Sequence, residues 1–499
     1  MDGERSEPAA LRRVPTGIVG LDEVLRDGLV LGDLYLIAGA PGTGKTTLGN
    51  QLAFGHAARG EVAVVVTLLA ETHDRMIAHL REFAFFDQAA IGERVHYVSL
   101  LETLESGGLD SLLAEMRRLV RGFRASFLVV DGTAVAQDLA PSSFEFRRFT
   151  QQLQVQSALA GCTTMLLSNR PGDDLDPIAT HVDGLFLLRR ERVEHRAMRT
   201  LEVTKLRGAD HLLGSHDFAL GPEGIVVAPR LEAALADTPP PGLMDGVRVG
   251  FGIADFDDML DGGVLPGSTT LLFGSPGVGK TILGLHFAAE GGRRGEPVLY
   301  AGFRETEPSL RGVADGIGLD LEPQLGEGKL KVLWRAPIEL SPDRWAWQLI
   351  RAVDEHRPRR LVVDAFSDIL QYLRDPGRRY GFMVALASYL RGRGVTTILI
   401  VELDAVAGPS LTIPLPAMSA AVDNGILLRS VELRSRLHRV ISVLKGRQTG
   451  FDPAIREFTI DENGVAVGGV FVGAAAVLSG FATPVIERFP GMPGDGGGL

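Results

Sequence analysis

Short apolar runs of four to six residues recur along this 499-residue chain, with longer helical stretches between them. In the first half they are Leu34–Ala38, Val62–Thr67, Phe127–Asp131, Thr163–Ser168 and Gly184–Leu188. In the second half they are Thr269–Phe273, Val298–Ala301, Leu361–Asp364, Thr396–Val401 and Gly425–Leu428. Strands that alternate with helices form βαβ units and a mainly parallel sheet. Helices cover both faces of such a sheet, so its strands are apolar throughout rather than alternating.

The two halves repeat each other. Gly39-Ala40-Pro41-Gly42-Thr43-Gly44-Lys45-Thr46 returns as Gly274-Ser275-Pro276-Gly277-Val278-Gly279-Lys280-Thr281, with the lysines 235 positions apart. Glu71 before Thr72 matches Glu305 before Thr306, Asp131 matches Asp364, and Lys205 matches Lys445, in the same order and at similar offsets. A period this long marks a duplicated domain, not a solenoid unit. The expected organisation is a first domain over 1–236, a stiff Pro-rich linker over 237–244, a second domain over 245–489 and a Gly/Pro-rich tail over 490–499 without fixed structure. Val465–Ala482 is apolar but rich in Gly, Ala and Val, marginal in length and weak in hydrophobicity for a membrane span. It is expected to be a buried strand or helix of the second domain.

Composition narrows the setting. The net charge is −11 and the one cysteine, Cys162, sits among apolar residues. A single cysteine cannot form an internal disulfide, which fits a reducing compartment. Met1–Arg13 lacks the apolar core of a signal peptide. The expectation is therefore a cytoplasmic protein with no membrane partner.

Each glycine-rich segment fits G-x-x-x-x-G-K-[ST] between a strand and a helix, the context of a phosphate-binding P-loop. Glycines let backbone N–H groups converge on phosphate oxygens, and the helix N-terminus adds positive potential. The expected nucleotide set is Gly42, Thr43, Gly44, Lys45, Thr46 and Thr47 in the first copy. In the second it is Gly277, Val278, Gly279, Lys280, Thr281 and Ile282. Lys45 and Lys280 reach the β- and γ-phosphates of ATP, and the Thr46 and Thr281 hydroxyls ligate Mg²⁺. Asp131 and Asp364, each ending an apolar strand, complete the Mg²⁺ sites through its water shell.

With these motifs in this order, the chain resembles the KaiC branch of RecA-type ATPases over nearly its whole length. Thr-Lys-Leu-Arg-Gly at Thr204–Gly208 and Ala-Ile-Arg-Glu-Phe at Ala454–Phe458 carry the resemblance beyond the P-loops. It implies an α/β fold of two tandem RecA-like domains and a homohexameric ring with ATP held between subunits. It also implies that Lys205 and Arg207, and Lys445 and Arg447 in the second domain, reach the neighbouring subunit's γ-phosphate. Leu206, His211 and Arg439 resemble nucleotide-contacting positions. Such cations offset charge on the transferring phosphoryl group.

Two departures bear on chemistry. The family has two adjacent glutamates after the second strand, the first acting as base. Here the pairs are Ala70-Glu71 and Arg304-Glu305. Glu71 and Glu305 remain as candidate catalytic acids, but neighbouring strand residues face opposite sides, so slow hydrolysis is expected. Arg304 is expected either to weaken the second site or to pair with phosphate. Clock members of the family phosphorylate an adjacent Ser and Thr; the matching pair here is Ser419 and Ala420, leaving Ser419 as the candidate phosphosite.

Three functions compete. The first is an oligomeric ATPase whose nucleotide state is read by protein partners. The second is an ATP-assembled scaffold without turnover, stabilised because nucleotide binds the assembled form. The third is a recombinase-like DNA motor, but Pro171–Leu188 and Leu403–Leu428, where such loops would lie, contain no Lys or Arg. Phosphate neutralisation needs cations, which argues against nucleic acid as a partner.

Overall fold

The computed structural model describes residues 12–70, 73–170, 178–193, 196–237, 242, 246–338, 340–403, 421–433, 435–447, 450–471, 474–475 and 483–484. The chain divides into two compact units, Met1–Ala234 and Leu235–Leu499. Of the expected linker only Asp237 and Gly242 are described, and the expected tail lies outside the described residues.

Among the described residues each unit builds one nine-stranded sheet. In the first, the strands are β1 (Leu34–Gly39), β2 (Ala63–Thr67), β3 (Val95–Ser99), β4 (Phe127–Asp131), β5 (Thr163–Ser168), β6 (Gly184–Val193), β7 (Arg196–Leu206), β8 (Ser215–Gly221) and β9 (Gly224–Ala228). Their order across the sheet is β3-β2-β4-β5-β1-β6-β7-β8-β9. Strands β1 to β6 pair in parallel and β6 to β9 antiparallel.

The second unit has the same plan. Its strands are β10 (Thr269–Gly274), β11 (Val298–Gly302), β12 (Leu330–Trp334), β13 (Arg360–Asp364), β14 (Thr396–Glu402), β15 (Asn424–Leu433), β16 (Arg436–Lys445), β17 (Arg456–Asp461) and β18 (Gly464–Val470). They run in the order β12-β11-β13-β14-β10-β15-β16-β17-β18. The duplication in sequence is thus a duplication of topology, and both units are RecA-like α/β folds.

Every predicted apolar run is a strand of the parallel part, covered on both faces. Tyr35 and Ile37 of β1 pack with the helix Lys45–Ala58, and Leu34, Leu36 and Ala38 pack on the other side with the helices Leu101–Phe123 and Ser143–Ala160. Lys45–Ala58 lies tight on the sheet because Gly49 has no side chain: a Cβ there would come within 3.0 Å of Leu167 and 3.1 Å of Val129. Gly284, in the matching helix Lys280–Arg293, stands 3.1 Å from Ile400 and 3.1 Å from Val362 in the same sense. Cys162 is buried, as expected, and burial pushes its thiol up to about 12.

Of Val465–Ala482, the start is a strand of the second unit. It lies in β18 at the edge of the sheet, with Val465 and Val467 buried but Val470 half exposed. This start thus has one buried and one solvated face, and 472–473 and 476–482 lie outside the described residues. Among the described residues no helix is long and apolar enough to cross a membrane.

Candidate functional site

In each unit the central parallel strand runs into the glycine-rich loop, and the loop into a helix. β1 ends at Gly39 and the helix begins at Lys45; β10 ends at Gly274 and its helix begins at Lys280. Gly42 and Gly44 have φ of 77° and 106°, and Gly277 and Gly279 have 72° and 114°. Only glycine enters this left-handed region cheaply. Gly39 and Gly274 are needed for space: a Cβ would lie 2.3 Å from the Leu188 carbonyl oxygen, or 2.2 Å from that of Leu428. Thr43 Oγ1 donates to Ala40 O at 2.9 Å, while Val278 in its place is buried in the apolar core. Thr47 and Ile282 are half-buried on the first turn of each helix.

The two lysines take the same pose. Lys45 Nζ donates to Gly39 O at 2.8 Å and Ala40 O at 3.0 Å; Lys280 Nζ donates to Gly274 O at 3.0 Å and Ser275 O at 2.7 Å. Each ammonium is thus held over its own loop. Burial lowers the pKa of both, opposed by Asp131 in the first unit and by Glu402, then Asp364, in the second.

Beside each lysine a hydroxyl meets an acid. Thr46 Oγ1 donates to Asp131 Oδ2 at 2.7 Å, and Thr281 Oγ1 to Asp364 Oδ2 at 2.8 Å. These bonds span 85 and 83 residues of sequence, closed because β5 and β14 alone separate the loop strand from the acid strand. Among the described residues no group of three or more His, Cys, Asp or Glu could cage a cation. One hydroxyl and one acid per loop fit Mg²⁺, which keeps water and takes its remaining ligands from phosphate oxygens.

The second unit adds side chains that the motifs did not reveal. Tyr300, fully buried on β11, donates its hydroxyl to Asp364 Oδ2 at 2.6 Å. Burial raises the Asp364 carboxyl, and the bonds from Tyr300 and Thr281 oppose that rise. In register, Val65 holds the place of Tyr300 in the first unit. Arg304, where the first glutamate is missing, pairs with Asp368 at 3.1 Å and with Glu402 at 2.8 Å. It is therefore committed to two carboxylates of its own unit. Glu305 accepts from the Ser309 hydroxyl. Ala70 is exposed three residues past the end of the first unit's second strand, and Glu71 lies outside the described residues. So does Ser419.

The late basic motifs are not brought to the loop of their own unit. Lys205 Nζ donates to Ala179 O and Thr180 O at 3.1 and 3.2 Å, and Arg207 pairs with Asp183 at 3.3 Å. Asp183 in turn accepts from Leu34 N, the first residue of β1. In the second unit Lys445 Nζ donates to Val422 O at 2.7 Å, and Arg447 lies 3.7 Å from Asp423, which accepts from Thr269 N at the start of β10. Both motifs thus sit at the beginning of the central strand, whereas the loop follows its end. Five steps of about 3.3 Å put them roughly 17 Å from that loop. Arg207 and Arg447 are more than half exposed, at 59% and 56%. Leu206 is buried in the core, so its side chain is committed to packing. His211 is half-buried, and Arg439 is exposed on β16 opposite Ser430.

Comparison with known proteins agrees with this geometry. The family model described as "ATPase: KaiC" matches residues 14–232 and again 249–470, once per unit. The "Circadian clock protein KaiC3" of Synechocystis sp. is 28% identical over 513 residues, covering 97% of this chain and 98% of the relative. The "Circadian clock oscillator protein KaiC" of Synechococcus elongatus is 26% identical over 494 residues, covering 96% and 93%. Its namesake in Picosynechococcus sp. is 26% identical over 491 residues, covering 95% and 93%. With the family model matched over both repeats of the fold, the chain belongs to the KaiC ATPase family.

Proposed function

We propose that the protein is a slow regulatory ATPase that assembles as a homohexamer, holds ATP with Mg²⁺ between subunits and presents its nucleotide state to protein partners. The observation that carries this reading is the position of the late basic motifs. Arg207 and Arg447 are exposed and roughly a strand's length from the loop of their own unit. In a ring the start of one subunit's central strand faces the loop of the next, and there their charge offsets that of the γ-phosphate.

Within one site the roles divide by chemistry. Loop N–H groups and Lys45 or Lys280 hold the phosphates. Thr46 with Asp131, and Thr281 with Asp364, are the residues for Mg²⁺, which neutralises charge on the β- and γ-oxygens when bound. The relatives named above are clock proteins, which supports a signalling role here. The timekeeping function itself is not carried over, because the two adjacent glutamates and the adjacent Ser–Thr pair of clock members are both altered. The acidic total and the lack of cations in 171–188 and 403–428 favour protein partners over nucleic acid.

Light scattering of the full chain with and without MgATP tests the reading. MgATP should drive the mass toward six times the 53.5 kDa chain, and Arg207→Ala with Arg447→Ala should weaken that assembly. A mass that stays at one chain at saturating MgATP contradicts it.

A further inference from the structure

The second site lacks the family's first glutamate but places another acid beside its lysine. Glu402 is the last residue of β14, which pairs in parallel with β10, and Gly274 is its partner in register. The Gly274 carbonyl oxygen accepts both Lys280 Nζ, at 3.0 Å, and the Leu403 N–H, at 3.1 Å. The lysine ammonium and the backbone next to Glu402 therefore meet on one atom. Among the charges that act on Lys280, Glu402 is the strongest, ahead of Asp364. With Lys280 on the γ-phosphate, as the ATPase reading has it, Glu402 would be the acid nearest in charge to that phosphate.

Arg304 accounts for how an acid is kept there. Its guanidinium bridges Glu402 and Asp368, and Glu402 is only 25% exposed. An arginine just past the end of β11 thus pairs at 2.8 Å with an acid at the end of β14. The first unit has neither member of the pair: Ala70 stands in the place of Arg304, and Asn169 in that of Glu402. Glu305, the acid retained from the family pattern, is instead engaged by Ser309.

We propose that Glu402 is the general base of the second site, replacing the missing glutamate from a different strand, with Arg304 as its positioning residue. This rests on the ATPase reading above. Water attacks the γ-phosphorus of ATP and gives its proton to the Glu402 carboxylate. The new O–P bond forms as the bond from phosphorus to the β,γ-bridging oxygen breaks. ADP leaves with the electron pair of that bond, and the proton passes from Glu402 to solvent. The net change is ATP and water to ADP and phosphate.

The test compares Glu402→Gln, Glu305→Gln and Lys280→Ala in the full chain, both alone and in a Lys45→Ala background that confines turnover to the second site. Phosphate release is read beside equilibrium binding of a fluorescent non-hydrolysable ATP analogue and the ATP-to-ADP ratio of nucleotide retained on the protein. Glu402→Gln should bind the analogue within about threefold of the parent, retain ATP rather than ADP and release phosphate at least about 100-fold more slowly. Glu305→Gln should lose less than about tenfold. If Glu305→Gln causes the larger loss, or if Glu402→Gln hydrolyses as the parent does while Lys280→Ala does not, the assignment is overturned and the ATPase reading stands. If the parent and Lys280→Ala bind the analogue equally poorly, the ATPase reading fails and the assignment with it.

Discussion

The Tyr300 hydroxyl and the Asp364 carboxylate are joined at 2.6 Å inside the second unit, on the same oxygen that Thr281 reaches at 2.8 Å. Val65 stands at the Tyr300 position in the first unit, so the two sites share a loop but not the surroundings of their acid. A buried hydrogen bond to a charged group is worth about 1.5–3 kcal/mol. Tyr300→Phe should therefore lower the melting temperature of the second unit, and calorimetry of the full chain should show that transition move while the first unit's stays in place.

Asp33 should make the first unit less stable as pH rises. Burial, with Asp183 nearby and Arg207 only partly compensating, pushes its carboxyl from 3.8 up to about 7. The folded state therefore binds a proton that the unfolded state has lost between about pH 4 and 7, and stability falls as pH rises through that window. Asp33→Asn should remove the dependence. Its gain should grow from pH 4 to pH 7 and level off above. Urea unfolding across this pH range checks it; a gain that is constant with pH would contradict the account.

Gly39→Ala and Gly274→Ala should each disable one site. The added Cβ meets a backbone carbonyl, that of Leu188 or Leu428, at 2.3 or 2.2 Å. A backbone neighbour in a central strand cannot swing aside, so the loop must move. Each variant should lose most ATP binding at its own site, about tenfold or more, and keep it at the other. Isothermal titration then reads a stoichiometry reduced by one site per chain.

Arg207→Ala and Arg447→Ala test action between subunits. Both arginines are exposed and, among the described residues, pair with their own Asp183 or Asp423. Turnover should drop by about 10³-fold or more, as for a lost arginine finger. Mixing Arg207→Ala chains with Lys45→Ala chains should restore part of the first-domain activity, because one intact site forms wherever a good loop meets a good arginine. Measured phosphate release of mixtures no greater than the average of the two variants would contradict it.

Most of the parallel half of each sheet was legible because strands covered on both faces are continuous apolar runs, as β1, β2, β4, β5 and β6 are; β3 and β12, at its outer edge, are only partly buried and escaped that signal. β7 escapes that signal. Arg196–Leu206 mixes polar and apolar residues, alternating in burial over Leu201–Thr204 because one face of an antiparallel extension is solvated, so its Lys205 reads as part of a motif and not of a strand. Asp131 and Asp364 are visible as acids that close apolar runs. Glu402 obeys the same rule, yet the run Thr396–Val401 stops one residue short of it. Tyr300 is hidden inside a strand pattern, since the partner of its hydroxyl lies 64 residues away on β13. The distance of the late arginines from their own loops depends on the sheet order, which spacing along the chain does not contain.

The most direct measurement is steady-state phosphate release from the full chain with MgATP, beside Lys45→Ala and Lys280→Ala. The account predicts slow release above background that falls in Lys280→Ala, with each lysine variant also losing nucleotide from its own site. Release that both lysine variants leave unchanged, or none above background from a chain that binds ATP, would contradict it.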